Sequence, residues 1–355
     1  MDRGRSALSS KIAAPQHHPR PLPVFLDLLR EQTQGDQARM QRALAGLRRY
    51  QEAPRGRPAR PKPALAARRG ASLRDYGGSG PDLLFVPSLI NPPNVLDMGR
   101  RSLLRWFARR GRRVLLLDWG WPGDERRDLS VAGHVEQILL PLMAELRQPP
   151  DLVGYCLGGT MAAAAAQLGG GRSLAMIAAP WRFGCYGEQR LRELDGLWSR
   201  SRPLAERLGV LPMEVLQCAF WSLDPGRTVG KFEQLANADA AALRAFVALE
   251  DWANDGPPLS FAAARELLED FFAADLPGRG CWRVDGQAID PFSLPCPLLN
   301  LVSTSDRIVP AASAVEAGER IELARGHVGM VVGSRARAEL WEPMAAWLSR
   351  VSPNC

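Results

Sequence analysis

An apolar run, a turn with glycine on either side of one cysteine, and a helix of small residues stopped by glycines make up DLVGYCLGGTMAAAAAQLGGG, residues 151–171. This reads as a buried strand bending sharply into a helix. Gly154 and Gly158 flank Cys156 because the turn is tight and its neighbours crowd the strained central residue. The pattern around it is of the same kind. DLLFVPSL from Asp82 and RVLLLDW from Arg113 read as buried strands, and the amphipathic helix SLLRWFARRG, closed by Gly111, stands between them. SVAGHVEQILLPLMAEL is a further helix and SLAMIAAP a fourth strand. Uninterrupted apolar strands alternating with helices predict an α/β fold: a mostly parallel sheet with helices on both faces.

From Trp181 to Pro295 the alternation stops in favour of helical patterning that carries Trp181, Trp198, Trp221, Trp252 and Trp282. It resumes with PLLNLVSTSD, ERIELARGH and a closing helix from about Arg337 to Arg350. The expected organisation is a disordered tail over 1–22, then a basic helical arm and Pro/Arg linker over 23–74. A core follows over 75–180 and 296–355, with a helical cap insertion over 181–295 above the carboxyl ends of the strands. The formal charge of +7 sits in the arm: residues 1–75 hold 16 Lys or Arg against 6 Asp or Glu. Its arginines are spread along the chain rather than gathered on one helix face, so a solvated arm is the plain reading and an anionic surface the alternative.

GYCLG fits G-x-C-x-G, the cysteine form of a nucleophile elbow, with strand before and helix after. A buried structural cysteine in a glycine-punctuated turn would give the same five residues. A nucleophile needs a base and an orienting acid, in the chain order nucleophile, acid, histidine. His17 and His18 lie in the tail and His134 precedes the elbow inside a helix, so His327, in RGHVGM after an apolar strand, is the base expected. Asp306, at the end of LLNLVSTS, is the acid expected, ahead of Asp285 and Asp290 in the insertion. The backbone N–H of Leu157 and one from the loop at Leu89 or Ile90 are the expected oxyanion donors. The helix N-terminus and the histidine favour a thiolate at Cys156.

In this order, LLFVPSLINPPNVLDM, LLLDWGWP, GYCLGGT, LEDWANDG, STSDRIVP and RGHVGM resemble the polyhydroxyalkanoate synthases, enzymes of the α/β-hydrolase fold. The resemblance covers about residues 75–350, and the length is similar to the short synthase subunits that work with a second protein. It implies an acyltransferase in which Cys156 is acylated by 3-hydroxyacyl-CoA, His327 is the base and Asp306 the third member or the activator of the substrate hydroxyl. It also implies a growing polyester as product, no cofactor beyond the CoA thioester substrate, and a second synthase subunit or a homodimer as partner. A cysteine-dependent hydrolase of esters or thioesters would use the same machinery if water reached the acyl-enzyme.

Other classes find little support. No run approaches the roughly 18 apolar residues of a membrane span, and the first residues lack the apolar stretch of a signal peptide. Six cysteines without C-x-x-C spacing and four histidines without ligand spacing predict neither a disulfide scaffold nor a metal site. Nucleic acid is not an expected partner. The expected location is the cytoplasm, or the surface of polyester granules within it.

Overall fold

The computed structural model describes residues 17–55, 60–99 and 101–352. The expected tail over 1–22 lies outside it as far as residue 16, and the expected linker lies outside it at 56–59. The chain divides into two units. One combines the N-terminal segment with Phe220–Asn254, the other Ala59–Ala219 with the chain from Asp255 onward.

The strands of the larger unit's main sheet are β1 (Ala64–Arg68), β2 (Ala71–Asp75), β3 (Asp82–Val86), β4 (Arg113–Asp118), β5 (Asp151–Tyr155), β6 (Ser173–Ile177), β7 (Leu298–Ser303) and β8 (Glu319–Leu323). Their order is β1-β2-β4-β3-β5-β6-β7-β8, parallel from β4 to β8 and antiparallel at the β1–β2 end. Every residue of β5, β6 and β7 is buried, as the apolar runs require of strands covered on both faces. A buried ion pair closes the end of β5 away from the elbow. Asp151 Oδ2 lies 2.7 Å from Arg112 Nη1, and its carboxylate also accepts from Ser173 Oγ at 2.7 Å and Ser352 Oγ at 2.9 Å, which ties β5, β6 and the C-terminal helix together.

The helices of six residues or more, in chain order, are α1 (Leu22–Gln32), α2 (Gln37–Glu52), α3 (Leu103–Ala108), α4 (131–144, with a π-helical turn at Val135–Leu139), α5 (Leu157–Gly169), α6 (Glu188–Leu208), α7 (Met213–Ser222), α8 (Pro225–Leu235), α9 (Ala240–Asn254), α10 (261–273) and α11 (337–351). α5 is buried along nearly its whole length, which its alanines permit, and stops at Gly170 with φ 74°.

Two expected boundaries move. Residues 64–74, assigned to the arm and its linker, form with Asp75 the edge hairpin β1–β2, turned by Arg69 (φ 47°) and Gly70 (φ 76°). A two-residue turn with both φ positive matches the twist of paired strands. β1 was illegible because its five residues, ALAAR, are mostly exposed and rich in alanine, which gives neither the alternation nor the β-branched run of a strand. The insertion over 181–295 is helical but not one body, since its central Phe220–Asn254 belongs with the arm.

In that smaller unit Phe25, Leu29, Leu47 and Tyr50 pack with Trp221, Val229, Phe232, Leu235 and Val247. A Cβ at Gly46 would stand 1.8 Å from Phe232 O, so α2 and α8 meet backbone to backbone. The basic arm is therefore not solvated along its whole length. Arg39 pairs with Glu233 at 2.7 Å and Arg55 with Asp251 at 3.0 Å, while Arg49 donates to the carbonyls of Leu235, Ala236 and Ala238.

Candidate active site

The elbow takes its shape from close backbone packing. Cys156 has φ 55° and ψ −133°, a conformation costing on the order of 1–3 kcal/mol that persists only where the surroundings impose it. Here they do. Cys156 N donates to Ile177 O at 3.0 Å, and Gly159 N donates to Cys156 O at 2.8 Å. A Cβ at Gly154 would lie 2.3 Å from Gly159 Cα, and one at Gly158 would lie 2.2 Å from Val86 O. Both glycines are thus required by contact. The result places the half-buried Cys156 at the N-terminus of the 13-residue α5, at the carboxyl end of the central strand β5.

The loops after β7 and β8 bring Asp306 and His327 to the same place. Asp306 Oδ2 lies 2.6 Å from His327 Nδ1. Its Oδ1 accepts from the backbone N–H of Ile308 at 2.7 Å and of Val309 at 3.0 Å, so the carboxylate is fixed at both oxygens. With Nδ1 engaged, the ring's other nitrogen is the one left to serve Cys156, whose sulfur bears electrostatically on His327. Burial alone would lower the affinity of His327 for a proton. The charges of Asp306 and Cys156 and the hydrogen bonds to both outweigh it and raise the pKa to about 10. The ring stacks on Tyr155 at 5.0 Å, and the Tyr155 hydroxyl donates to His327 O.

The other candidates are elsewhere. Asp290 caps a turn by accepting from Phe292 N and Ser293 Oγ, and Asp285 sits at φ 50° in the turn of a small ladder. His134 is buried in α4 with Nδ1 on Ser130 O, and His18 contacts Pro19 O. Leu157 opens α5, where first-turn amides have no intrahelical acceptor. The amide of Ile90, by contrast, donates to Ser88 Oγ at 3.0 Å. It is already engaged, which counts against Ile90 as the second donor and leaves Leu89 in the same loop. Among the described residues no three His, Cys, Asp or Glu side chains gather as a metal-ligand set, and no helix is long and apolar enough to cross a membrane.

Sequence reasoning passed over two tyrosines. Burial first, then the charges of Cys156 and Asp306, hold the Tyr155 and Tyr186 phenols well above their ordinary range and so neutral. Tyr155 adjoins the cysteine in the motif itself and was open to notice. Tyr186 reaches this neighbourhood only through folding: Trp181 and Arg182 both donate to Ser313 O, and Arg190 Nη1 donates to Arg307 O at 2.6 Å. The tryptophans of the insertion are mostly interior packing, with Trp181 edge-on to Trp282 at 6.0 Å and the Trp282 indole N–H on Glu266 at 2.8 Å.

A profile of the alpha/beta hydrolase family matches residues 83–342. The poly(3-hydroxyalkanoate) polymerase subunit PhaC of Haloferax mediterranei is 28% identical over 291 residues, covering 76% of this chain and 59% of its own. This chain thus spans about three fifths of that relative's length. The subunit of the same name from Allochromatium vinosum is 26% identical over 75% of this chain and 80% of its own. Among solved structures, a monoacylglycerol lipase from Paleococcus ferrophilus superposes with a TM-score of 0.51 at 17% identity, over 79% of this chain and 99% of its own, a likeness of fold. The curated relatives that this chain resembles are poly(3-hydroxyalkanoate) polymerase subunits, and the chain itself belongs to the alpha/beta hydrolase family.

Proposed function

We propose that the chain is an acyltransferase that polymerises 3-hydroxyacyl-CoA through a thioester on Cys156. The observation that carries this reading is the buried Asp306–His327 pair at 2.6 Å, its ring within the electrostatic reach of a strained elbow cysteine. The names of the relatives point the same way.

The Cys156 thiolate attacks the thioester carbonyl. The developing oxyanion takes hydrogen bonds from the Leu157 amide and the Leu89 loop, one such donor being worth on the order of 3 kcal/mol of barrier. The carbonyl then re-forms, the bond to the CoA sulfur breaks, and the proton of His327 goes to the departing thiolate. One thioester has replaced another, so the acyl group stays activated. The hydroxyl of a second hydroxyacyl unit then attacks the acyl-enzyme. Its proton passes to His327, the bond to Cys156 breaks, and an ester is formed with the thiolate regenerated. Asp306 holds the ring orientation throughout. No cofactor enters beyond the CoA thioester, which is substrate. In the cell the reading places the protein in the cytoplasm at the polyester surface, with a second synthase subunit or a second copy of itself.

The test is the fate of 3-hydroxybutyryl-CoA given to the purified protein, alone and with a candidate second subunit. Polyester accompanying CoA release supports the reading, and stoichiometric free 3-hydroxy acid without oligomers replaces it with a hydrolase. Cys156→Ala is expected to abolish CoA release with the melting temperature preserved. Residual activity above about a hundredth of the parent, beyond the usual span of acid-base assistance, would remove Cys156 from the nucleophile's role.

A further inference from the structure

The two edges of the main sheet differ in what they offer another chain. β1, at one end, has its register broken between Ala64 and Ala66, and the charges along and around it, Arg60, Lys62, Arg68 and Arg69, are all positive. A broken register and a single sign of charge keep strands apart. β8, at the other end, is regular. Glu319 to Leu323 run in unbroken parallel register against Leu299 to Ser303 of β7.

That register fixes which backbone groups of β8 are engaged. Leu323 pairs with Ser303, and its carbonyl accepts from Thr304 N at 2.8 Å, so Leu323 turns its N–H and C=O to β7. Alternation along the strand gives Ile321 and Glu319 the same direction and leaves the N–H and C=O of Arg320 and Glu322 pointing off the edge. Among the described residues these outward groups have no hydrogen-bond partner.

The side chains divide between the two faces. Glu319 lies on the α11 side, accepting from the Trp347 indole N–H at 2.9 Å and from Arg350 at 2.8 Å, and the half-buried Ile321 shares its face. Arg320 and Glu322 stand together on the other face, exposed, with Arg320 Nε 2.9 Å from Glu322 Oε1.

Charges on an edge ordinarily turn other strands away. Opposite signs two residues apart reverse this for one partner, a copy of the same strand running antiparallel. Hydrogen-bonded pairing sets outward-facing residues against one another, so a two-fold axis can pass through Arg320, Ile321 or Glu322. The first sets Arg320 against its own copy, and the last does the same to Glu322. The middle one sets Arg320 against Glu322 of the second copy at two symmetric places. It also closes the backbone hydrogen bonds of both residues and brings the two Ile321 side chains together at the axis.

We propose that β8 is a self-pairing edge, on which a second copy of this chain docks antiparallel with the two-fold at Ile321 and Arg320 of each copy opposite Glu322 of the other. The contact is short, so the association is weak and depends on concentration. It is read from mass alone and does not rest on the chemistry at Cys156.

Sedimentation velocity of the full chain, from about 1 to about 500 µM, tests it. The parent should pass from monomer toward dimer as concentration rises. Arg320→Glu and Glu322→Arg, each alone, set like charges opposite one another at both places and should raise the dissociation constant by about tenfold or more. An equimolar mixture of the two variants restores opposite charges at both places and should dimerise about as well as the parent. Loss of the Arg320–Glu322 contact within one copy cannot produce that rescue. A parent that stays monomeric over the whole range overturns the proposal, and so does a dimer that neither substitution weakens. Singly weakened variants whose mixture does not recover overturn it as well, because the antiparallel register at Ile321 then fails.

Discussion

Replacing Asp306 by Asn separates two roles that the carboxylate could fill, and the structure favours one. Asp306 has a fully buried side chain and three hydrogen bonds, two from backbone amides at Oδ1 and one at 2.6 Å to His327 Nδ1. Asn can keep the amide contacts through its carbonyl, so the loop should hold. Its NH2 then faces Nδ1, and the charge beside the ring is gone. A charge-assisted hydrogen bond is worth about 1.5–3 kcal/mol, which is roughly 10- to 150-fold in rate if lost from the acylation transition state. First-turnover CoA release, followed by rapid quench and chromatography, should therefore slow within that range. A first turnover at the parent rate with stalled polymer growth would mean that Asp306 serves only the incoming hydroxyl. Near-parent values of both would remove it from the site.

The same substitution has a signature in pH. His327 is held up to about 10 against an ordinary value near 6.5. A folded-state pKa raised in this way contributes stability that is complete below about 6.5 and is lost as pH rises toward 10. Acylation, which uses the protonated ring, should fall on the alkaline side around pH 10 in the parent. In Asp306→Asn that limb should move to lower pH, because the nearest anion has been removed. An alkaline limb that stays in place would show that Asp306 does not govern the ring.

His327→Gln is expected to lower first-turnover CoA release by roughly a hundredfold or more, the usual scale of general acid-base assistance, with little change in melting temperature; a smaller loss would mean the base is misassigned. Gly158→Ala pushes a Cβ to 2.2 Å from Val86 O and 2.5 Å from Pro87 C, and carbonyl backbone cannot yield as a side chain would, so thermal unfolding should show a loss of about 1–3 kcal/mol or more. A neutral effect there would contradict the packing of the elbow. Removing residues 1–55 takes Phe25, Leu29, Leu47 and Tyr50 from the smaller core, at about 1.5–3 kcal/mol per large buried side chain, so amide exchange over 225–254 should become fast. Protection unchanged in those helices would show that they stand without the arm.

What could be foreseen in this chain follows the range over which each signal acts. The elbow is announced locally: three glycines, a cysteine and an alanine helix within twenty residues mark the strained turn, while Val86 and Ile177 help to impose it from neighbouring strands. His327 and Asp306 were open to elimination, since chain order leaves one histidine after the elbow and a strand end before it marks the acid. The smaller unit has no such local signature. α2 is legible as a helix from its spacing, but the partner of its buried face lies nearly 200 residues away. Arg39 of α2 and Arg55 beyond it look like part of a solvated stripe until Glu233 and Asp251 are placed opposite them. The engagement of Ile90 by Ser88 was equally hidden, because a serine two residues before an amide is ordinary in any loop and only its rotamer decides whether the N–H is free. His134 shows the same limit from the other side. The sequence discards it as a base by its position before the elbow, and that exclusion stands. Burial against Ser130 O instead fixes its tautomer, with the ring proton on Nδ1, so the histidine that sequence position excludes as the base is held in the interior by a contact no local pattern announces.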